Sequence, residues 1–367
     1  MKITDILTYA VKGRHWPRFP MVFVEVEIDE GITGLGESLL YQSNGIIEAI
    51  HAMKGLLIGQ DPRDIERLWE KMFRLGNPGP AISGVEIALW DILGKSLGVP
   101  VYRLLGGRCR EKIRVYCDGF FRGADYNPVE YMEKALEAVD MGFTALKMDV
   151  DEPLESVNKE LGRAITLQEL RQTVKMVEAV RETVGPEIDL AIDAHGAFDI
   201  TTALALGKKL APCDLLWFED PVPQSNLSVM AKVAQSIDIP VCTGEMLRSR
   251  FEFRELFERQ AAEIIMPDVA RTGGMLEMKK IAAMADTYFM LTAPHNMVGP
   301  VCTMASVHLC ACIPNFLVME YQLGDVPWID DLISSPIPIN RGYLEIPERP
   351  GLGIELNKKE VAKYLVS

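Results

Sequence analysis

The rhythm of apolar and polar positions changes near residue 113. Before it, "MVFVEVEIDEGITGLGE" alternates Val22, Val24, Val26 and Ile28 with Phe23, Glu25 and Glu27, the pattern of a half-exposed strand. A turn at Asp29-Glu30-Gly31 sends it into a second strand, predicting a hairpin. The glycines of "GITGLGE" lie inside that hairpin and not between a strand and a helix, which argues against a phosphate loop. Helical patterns follow, and the last, "SGVEIALWDILGKSLGVP", stops at Gly98 and Pro100. Within it, Asp91 and Lys95 are spaced as a surface ion pair.

From Ile113 the pattern is regular. Eight short apolar segments, "IRVYCDG", "FTALKMD", "DLAIDAH", "LLWFED", "PVCTGE", "EIIMPDV", "FMLTAPH" and "FLVMEY", are separated mostly by helical stretches. Helical spacing is visible at Met132, Ala135, Leu136 and Val139, and again at Leu170, Val174 and Val177. Asp193, Glu219, Glu245, Asp268, His295 and Glu320 follow one another at intervals of 26, 26, 23, 27 and 25 residues. Eight strand-helix units of this length predict a closed parallel (β/α)8 barrel. An open doubly wound sheet would ordinarily carry a glycine-rich turn after its first strand, and none is present. The fold expected is therefore α/β: an N-terminal α+β capping domain over residues 1–112, a barrel over 113–325, and a C-terminal segment, 326–367, that returns to the cap. The polar stretch "VDEPLESVNKELGRAI" is long enough to lie over the barrel mouth.

Composition narrows the class. With 367 residues, 48% hydrophobic and 25% charged, the chain reads as an ordinary globular protein. No signal-peptide pattern and no run of membrane-spanning length is seen, and seven cysteines without a CxxC pair suggest buried reduced thiols in the cytoplasm. Cys310 and Cys312 look like core. A net charge of −14 disfavours nucleic acid and anionic membranes as partners, and an anionic substrate would need a local cation.

That cation has an evident place. All barrel strands point their C-terminal ends to one face, where chemistry is built. Those ends carry Lys147 and Asp149, Asp193 and His195, Glu219 and Asp220, Glu245, Asp268, His295 and Glu320. Asp193, Glu219 and Glu245 come from strands three, four and five. Converging carboxylates repel unless a cation holds them, and an all-oxygen set suits Mg2+. Zinc is disfavoured without a Cys/His cluster. The competing reading pairs some of these carboxylates with lysine or arginine at the rim. Asp268 beside His295 makes a general base, and His195, four strands away in a ring of eight, faces it as a potential acid. His195 could instead be structural. His51 and His308 sit in apolar helical contexts and read as structural; His15 is undecided.

"DAHG", "FEDP", "TGE", "MPDVARTGG", "APHNMVGP" and "PGLGIEL" together resemble the landmarks of the enolase superfamily, and within it the mandelate racemase group of sugar-acid dehydratases. The resemblance spans essentially the whole chain. It implies Mg2+ on Asp193, Glu219 and Glu245, the Asp268–His295 pair as base, and Glu320 as a partner of the substrate carboxylate or enediolate. Racemases of this group carry Lys-x-Lys at the end of the second barrel strand, whereas this chain has Lys147-Met148-Asp149. His195 is similar to the general acid of galactonate- and gluconate-type dehydratases. Met246 departs from the polar residue expected after the third ligand.

The reading is a Mg2+-dependent sugar-acid dehydratase, a hydro-lyase, with His295 taking the carbon-2 proton and His195 protonating the leaving hydroxyl. Lys147 either adds positive charge near the substrate carboxylate or forms a salt bridge to Asp149 or a ligand carboxylate. "GRHWPRFP" and Tyr41-Gln42-Ser43 are candidates for a lid. A racemase, epimerase or cycloisomerase would share metal and base, and a non-catalytic homologue would keep the ligands alone. The expected partners are a small sugar acid and further copies of the chain, as a homo-oligomer.

Overall fold

The computed structural model describes residues 1–13, 20–39, 45–124, 126–152, 154–158, 162–324, 326–337 and 339–366. Most of the two lid candidates, and His15 with them, lies outside the described residues. Strands β1 (Ile3–Val11), β2 (Met21–Ile28) and β3 (Thr33–Leu39) form an antiparallel sheet, with β2 and β3 the expected hairpin. The helix Gly79–Leu97 lies against it. Its approach is close because a Cβ at Gly34 or Gly36 would overlap the carbonyl oxygens of Ala88 and Gly84. Those are the glycines of "GITGLGE", and their role is packing.

Eight parallel strands then alternate with helices. They are β4 (Lys112–Asp118), β5 (Ala145–Asp149), β6 (Asp189–Asp193), β7 (Phe218–Glu219), β8 (Val241–Thr243), β9 (Ile264–Ile265), β10 (Leu291–Thr292) and β11 (Met319–Gln322). Neighbours pair in sequence from β4 to β10, and β11 pairs with β4. Between β10 and β11 the link is a parallel bridge, Thr292 to Phe316, with hydrogen bonds from Leu317 N to Thr292 O (2.9 Å) and Glu320 N to Pro294 O (3.1 Å). These contacts complete the ring of eight.

Two readings of the helices shift on inspection. The helix Pro128–Asp140 buries Tyr131, Ala135 and Ala138, and leaves Leu136 43% exposed. Its inner stripe is set by Tyr131, one position away from the one read from Met132. Asp91 and Lys95 do pair, at 2.7 Å, but Asp91 is fully buried and not on the surface. It also accepts from the backbone N–H groups of Leu35 and Leu352 (both 2.8 Å), tying hairpin, helix and C-terminal segment together. Burial pushes its carboxyl up to about 6 against the pull of Lys95. Six of the seven cysteines are buried as expected, whereas Cys109 is exposed.

Helix starts show how cap and barrel are joined. Asn127, Thr166, Asp199 and Asn226 cap their own helices with side-chain oxygens. The helices Met275–Asp286 and Pro300–Cys312 begin instead after Gly274 and Gly299, which have no side chain to offer. Glu86 of the capping domain accepts from Met275 N and Leu276 N (2.8 and 2.9 Å). Glu37 accepts from Gly299, Val301 and Cys302 N (2.7, 3.0 and 2.8 Å). Both glutamates are fully buried. The C-terminal segment adds β12 (Ile339–Asn340) and β13 (Tyr343–Glu345), the latter antiparallel to β4, and Val366 N reaches Ala10 O of the cap at 2.8 Å.

Candidate active site

Side chains along a strand alternate, so inward-facing positions recur every second residue. The barrel interior holds a buried cluster of Tyr116, Ala145, Ala191, Trp217, Cys242, Met266, Ala293 and Val318. Large rings beside small alanines fill it, and Tyr116 meets Trp217 edge-on at 5.3 Å. Two residues further toward the C-terminal face stand Asp118, Lys147, Asp193, Glu219, Asp268, His295 and Glu320. The same parity that builds the core therefore delivers a ring of charge at its top. The fifth strand departs from it: Gly244 occupies that position at φ +126°, and Glu245 follows.

Lys147 is the hub of one half. Its ammonium lies 3.1 Å from Asp193 Oδ2, 2.9 Å from Glu219 Oε1 and 3.3 Å from Glu320 Oε1, almost wholly buried. Burial works against its charge, but Glu219 and Glu320 outweigh it and hold the ammonium well above its usual range. Two of the carboxylates expected to bind the metal, Asp193 and Glu219, are thus ion-pair partners of Lys147. Trp217 Nε1 donates to Glu219 Oε2 at 3.0 Å. Burial and Asp193 push Glu219 up, whereas His195 and Lys147 hold Asp193 well below the usual carboxylate range despite its burial.

Two histidines flank this cluster, each on an aspartate. His295 Nδ1 lies 2.7 Å from Asp268 Oδ2, and its Nε2 is 3.1 Å from Glu245 Oε2. Burial opposes its charge, yet Glu320, Glu245 and Asp268 raise it to about 9. His195 follows β6 at φ +47°, a left-handed conformation uncommon for histidine, held by a bond from its N–H to Asp193 Oδ1 (2.9 Å). Its Nδ1 lies 2.9 Å from Asp151 Oδ1, and its Nε2 is 3.7 Å from Asp193 Oδ2. At 43% side-chain exposure it is the open member of the pair, against 3% for His295.

Residues 130–361 match the family model described as enolase C-terminal domain-like, and residues 8–106 match the mandelate racemase / muconate lactonizing enzyme N-terminal domain. The chain belongs to the mandelate racemase group of the enolase superfamily. Among its superfamily relatives, a D-xylonate dehydratase of Haloferax volcanii is 39% identical over all of this chain and 89% of its own length. A D-galactonate dehydratase of Pectobacterium atrosepticum is 34% identical over 98% of this chain and 94% of its own. A crystal structure of a mandelate racemase/muconate lactonizing enzyme-like protein from Rubrobacter xylanophilus superposes with a TM-score of 0.90 at 39% identity, covering 100% and 98% of the two chains. Another superfamily member, from Salmonella Typhimurium, gives 0.91 at 31% identity over 99% and 98%.

The site of this superfamily member holds more acid than its sequence pattern announced. Asp118, at the end of β4, is buried beside Lys147 and Glu320, and Gln322 Nε2 donates to it. Asp151, from the stretch after β5, is also buried and bonds His195. The parity of "VYCD" would have found Asp118; Asp151 lies beyond its strand, where parity no longer informs. Asp149 sits beside Asp193 in register, and ligand atoms of Asp149, Asp193 and His195 all lie within 4.8 Å of one another. Asp220 turns away at φ +37° to accept from Thr243 and Gln224. Burial together with Glu245 and Asp193 raises it to about 8. Carboxylates crowded to this degree around one lysine and two histidines are a donor set short of positive charge, which fits a divalent cation. Beside the eighth strand a cavity of about 250 Å³ is lined by Asn296, Tyr321, Gln322 and Ile337. Gln322 also donates to Glu320 Oε1 at 3.1 Å.

Proposed function

We propose that this chain is a Mg2+-dependent dehydratase of an aldonic acid, converting it to the 2-keto-3-deoxy acid. The observation that carries the reading is the pair of Asp-held histidines, Asp268–His295 and Asp151–His195, set four strands apart around one carboxylate cluster. An elimination needs one group to take a proton and another to give one. The names of the xylonate and galactonate relatives support the substrate class.

Asp193, Glu219 and Glu245 would hold the metal. When bound, Mg2+ supplies positive charge that draws electron density from the substrate carboxylate and makes the adjacent C–H bond more acidic. His295, fixed by Asp268 through Nδ1, presents Nε2 to the carbon-2 proton and takes it. His195 gives its Nε2 proton to the carbon-3 hydroxyl, which leaves as water; the enol so formed tautomerises to the ketone. Each proton transfer is worth ~10²–10⁴-fold. Lys147 and Glu320 would bracket the carboxylate end of the substrate, and the cavity beside Gln322 would read its remaining hydroxyls. Asp149, where racemases of the group carry a second lysine, offers no such base, which disfavours two-base racemisation.

The test is incubation of the Mg2+-loaded protein with a stereochemically complete set of five- and six-carbon aldonates, detecting keto acid as its semicarbazone. One or two active stereoisomers, with activity lost to chelation and restored by Mg2+, support the proposal. No keto acid from any of them overturns it.

A further inference from the structure

We propose that Asp151 is a positioning residue for His195, the counterpart on the acid side of what Asp268 is on the base side; this rests on the dehydratase reading above. His195 leaves β6 in a left-handed backbone conformation, and its main chain is pinned through N–H to Asp193 Oδ1. That contact fixes the residue but not its ring. Rotation of the ring is limited by the 2.9 Å contact between Nδ1 and Asp151 Oδ1. A carboxylate only accepts, so the ring nitrogen facing it must be the one that carries hydrogen. Nδ1–H is thereby committed to Asp151, and Nε2, on the Asp193 side of the ring, becomes the nitrogen that meets the substrate.

Asp151 is itself held. It is buried, its neighbour Val150 donates to Asp193 O (2.8 Å), and its carbonyl accepts from Leu154 N (3.0 Å). Arg163, later in the same stretch, donates to Gly196 O at 3.2 Å and closes the other side of the His195 turn. The segment after β5, expected from its length and polarity to lie over the mouth, thus contributes a side chain to the reacting pair. Because His195 is far more exposed than His295, water can partly replace its aspartate. The loss on substitution is therefore set at ~10–100-fold, as for a partner that orients a metal-bound imidazole.

The experiment uses full-length Mg2+-loaded protein labelled with ¹⁵N-histidine. Two-bond ¹H–¹⁵N spectra report which ring nitrogen carries hydrogen, and His195→Asn identifies the His195 signals. The expected result is a protonated, hydrogen-bonded Nδ1 in the wild type that loses this signature in Asp151→Ala, which removes the acceptor. In D₂O, Asp151→Ala should also lose ~10–100-fold in kcat for dehydration with KM little changed. Carbon-2 exchange should fall less, so that the ratio of exchange to dehydration rises. An unprotonated Nδ1 in the wild type, or Asp151→Ala with wild-type partitioning, overturns the inference. If Asp151→Ala does not fold, the wild-type spectrum alone decides. If the wild type dehydrates no aldonate, the functional reading falls and the same spectrum still judges the pairing.

Discussion

In the mechanism proposed, Asp268→Asn separates the shape of the base from its chemistry. Asp268 uses both oxygens: Oδ1 accepts from Ala270 N at 2.7 Å, and Oδ2 faces His295 Nδ1 at 2.7 Å. Asparagine fits the same space, but its two ends are not equivalent. The backbone N–H of Ala270 demands an acceptor, so the amide oxygen stays at Oδ1 and the NH₂ group takes the place of Oδ2. An NH₂ only donates, which forces Nδ1 to accept and moves the ring hydrogen to Nε2. A nitrogen already carrying hydrogen cannot take the carbon-2 proton. The wrong tautomer of a buried catalytic histidine costs about 10⁴-fold in the serine-protease example, equivalent to ~5 kcal/mol. Here ~10³–10⁴-fold is expected, because His295 is as deeply buried on its aspartate and the same tautomer is imposed on it. The assay is kcat/KM for keto-acid formation and, in parallel, carbon-2 deuterium exchange, with thermal melting as the control for folding. Both rates should fall together, since both need the base. A folded Asp268→Asn within tenfold of the wild type in either rate would refute the reasoning.

His308 is buried with Nδ1 accepting from Tyr102 N and Nε2 bonded to Leu352 O, both at 3.2 Å, and burial lowers its pKa to about 4. Against an unfolded value of 6.5, its contribution is complete above pH 6.5 and lost as pH falls toward 4. By pH 5 the loss is ~2 kcal/mol, so the urea-measured gap between wild type and His308→Asn should narrow by that amount between pH 7 and 5. A constant gap would contradict it. Glu37→Ala removes the acceptor for three backbone N–H groups at the start of Pro300–Cys312 and should cost ~3 kcal/mol, read as a lower urea midpoint at unchanged slope. A change under 1 kcal/mol would mean that water caps the helix instead.

Much of the barrel was legible because two periods coincide in the chain: about 25 residues per strand-helix unit, and two residues between a core side chain and a charged one. Tyr116 and Asp118, Ala191 and Asp193, Ala293 and His295 all obey the second. What was not legible depends on distant partners. An i, i+4 spacing of Asp91 and Lys95 is the same on a surface or in a core, and it is the hairpin, through Leu35, and the C-terminal segment, through Leu352, that settle which. Glu37 and Glu86 are ordinary glutamates until Gly274 and Gly299 leave two helices uncapped, nearly 190 and more than 260 residues later. Asp151 lies in a polar stretch where no periodicity selects one acid from its neighbours.

The division of labour between two histidines is most directly tested with His195→Asn. The Mg2+-loaded variant is incubated in D₂O with the aldonate that the wild type dehydrates, and one NMR spectrum records both keto acid and deuterium at carbon 2. With His295 and Asp268 intact, deuterium should enter carbon 2 while keto acid is absent. Loss of exchange together with dehydration would contradict separate acid and base, and would place both proton transfers on a single group.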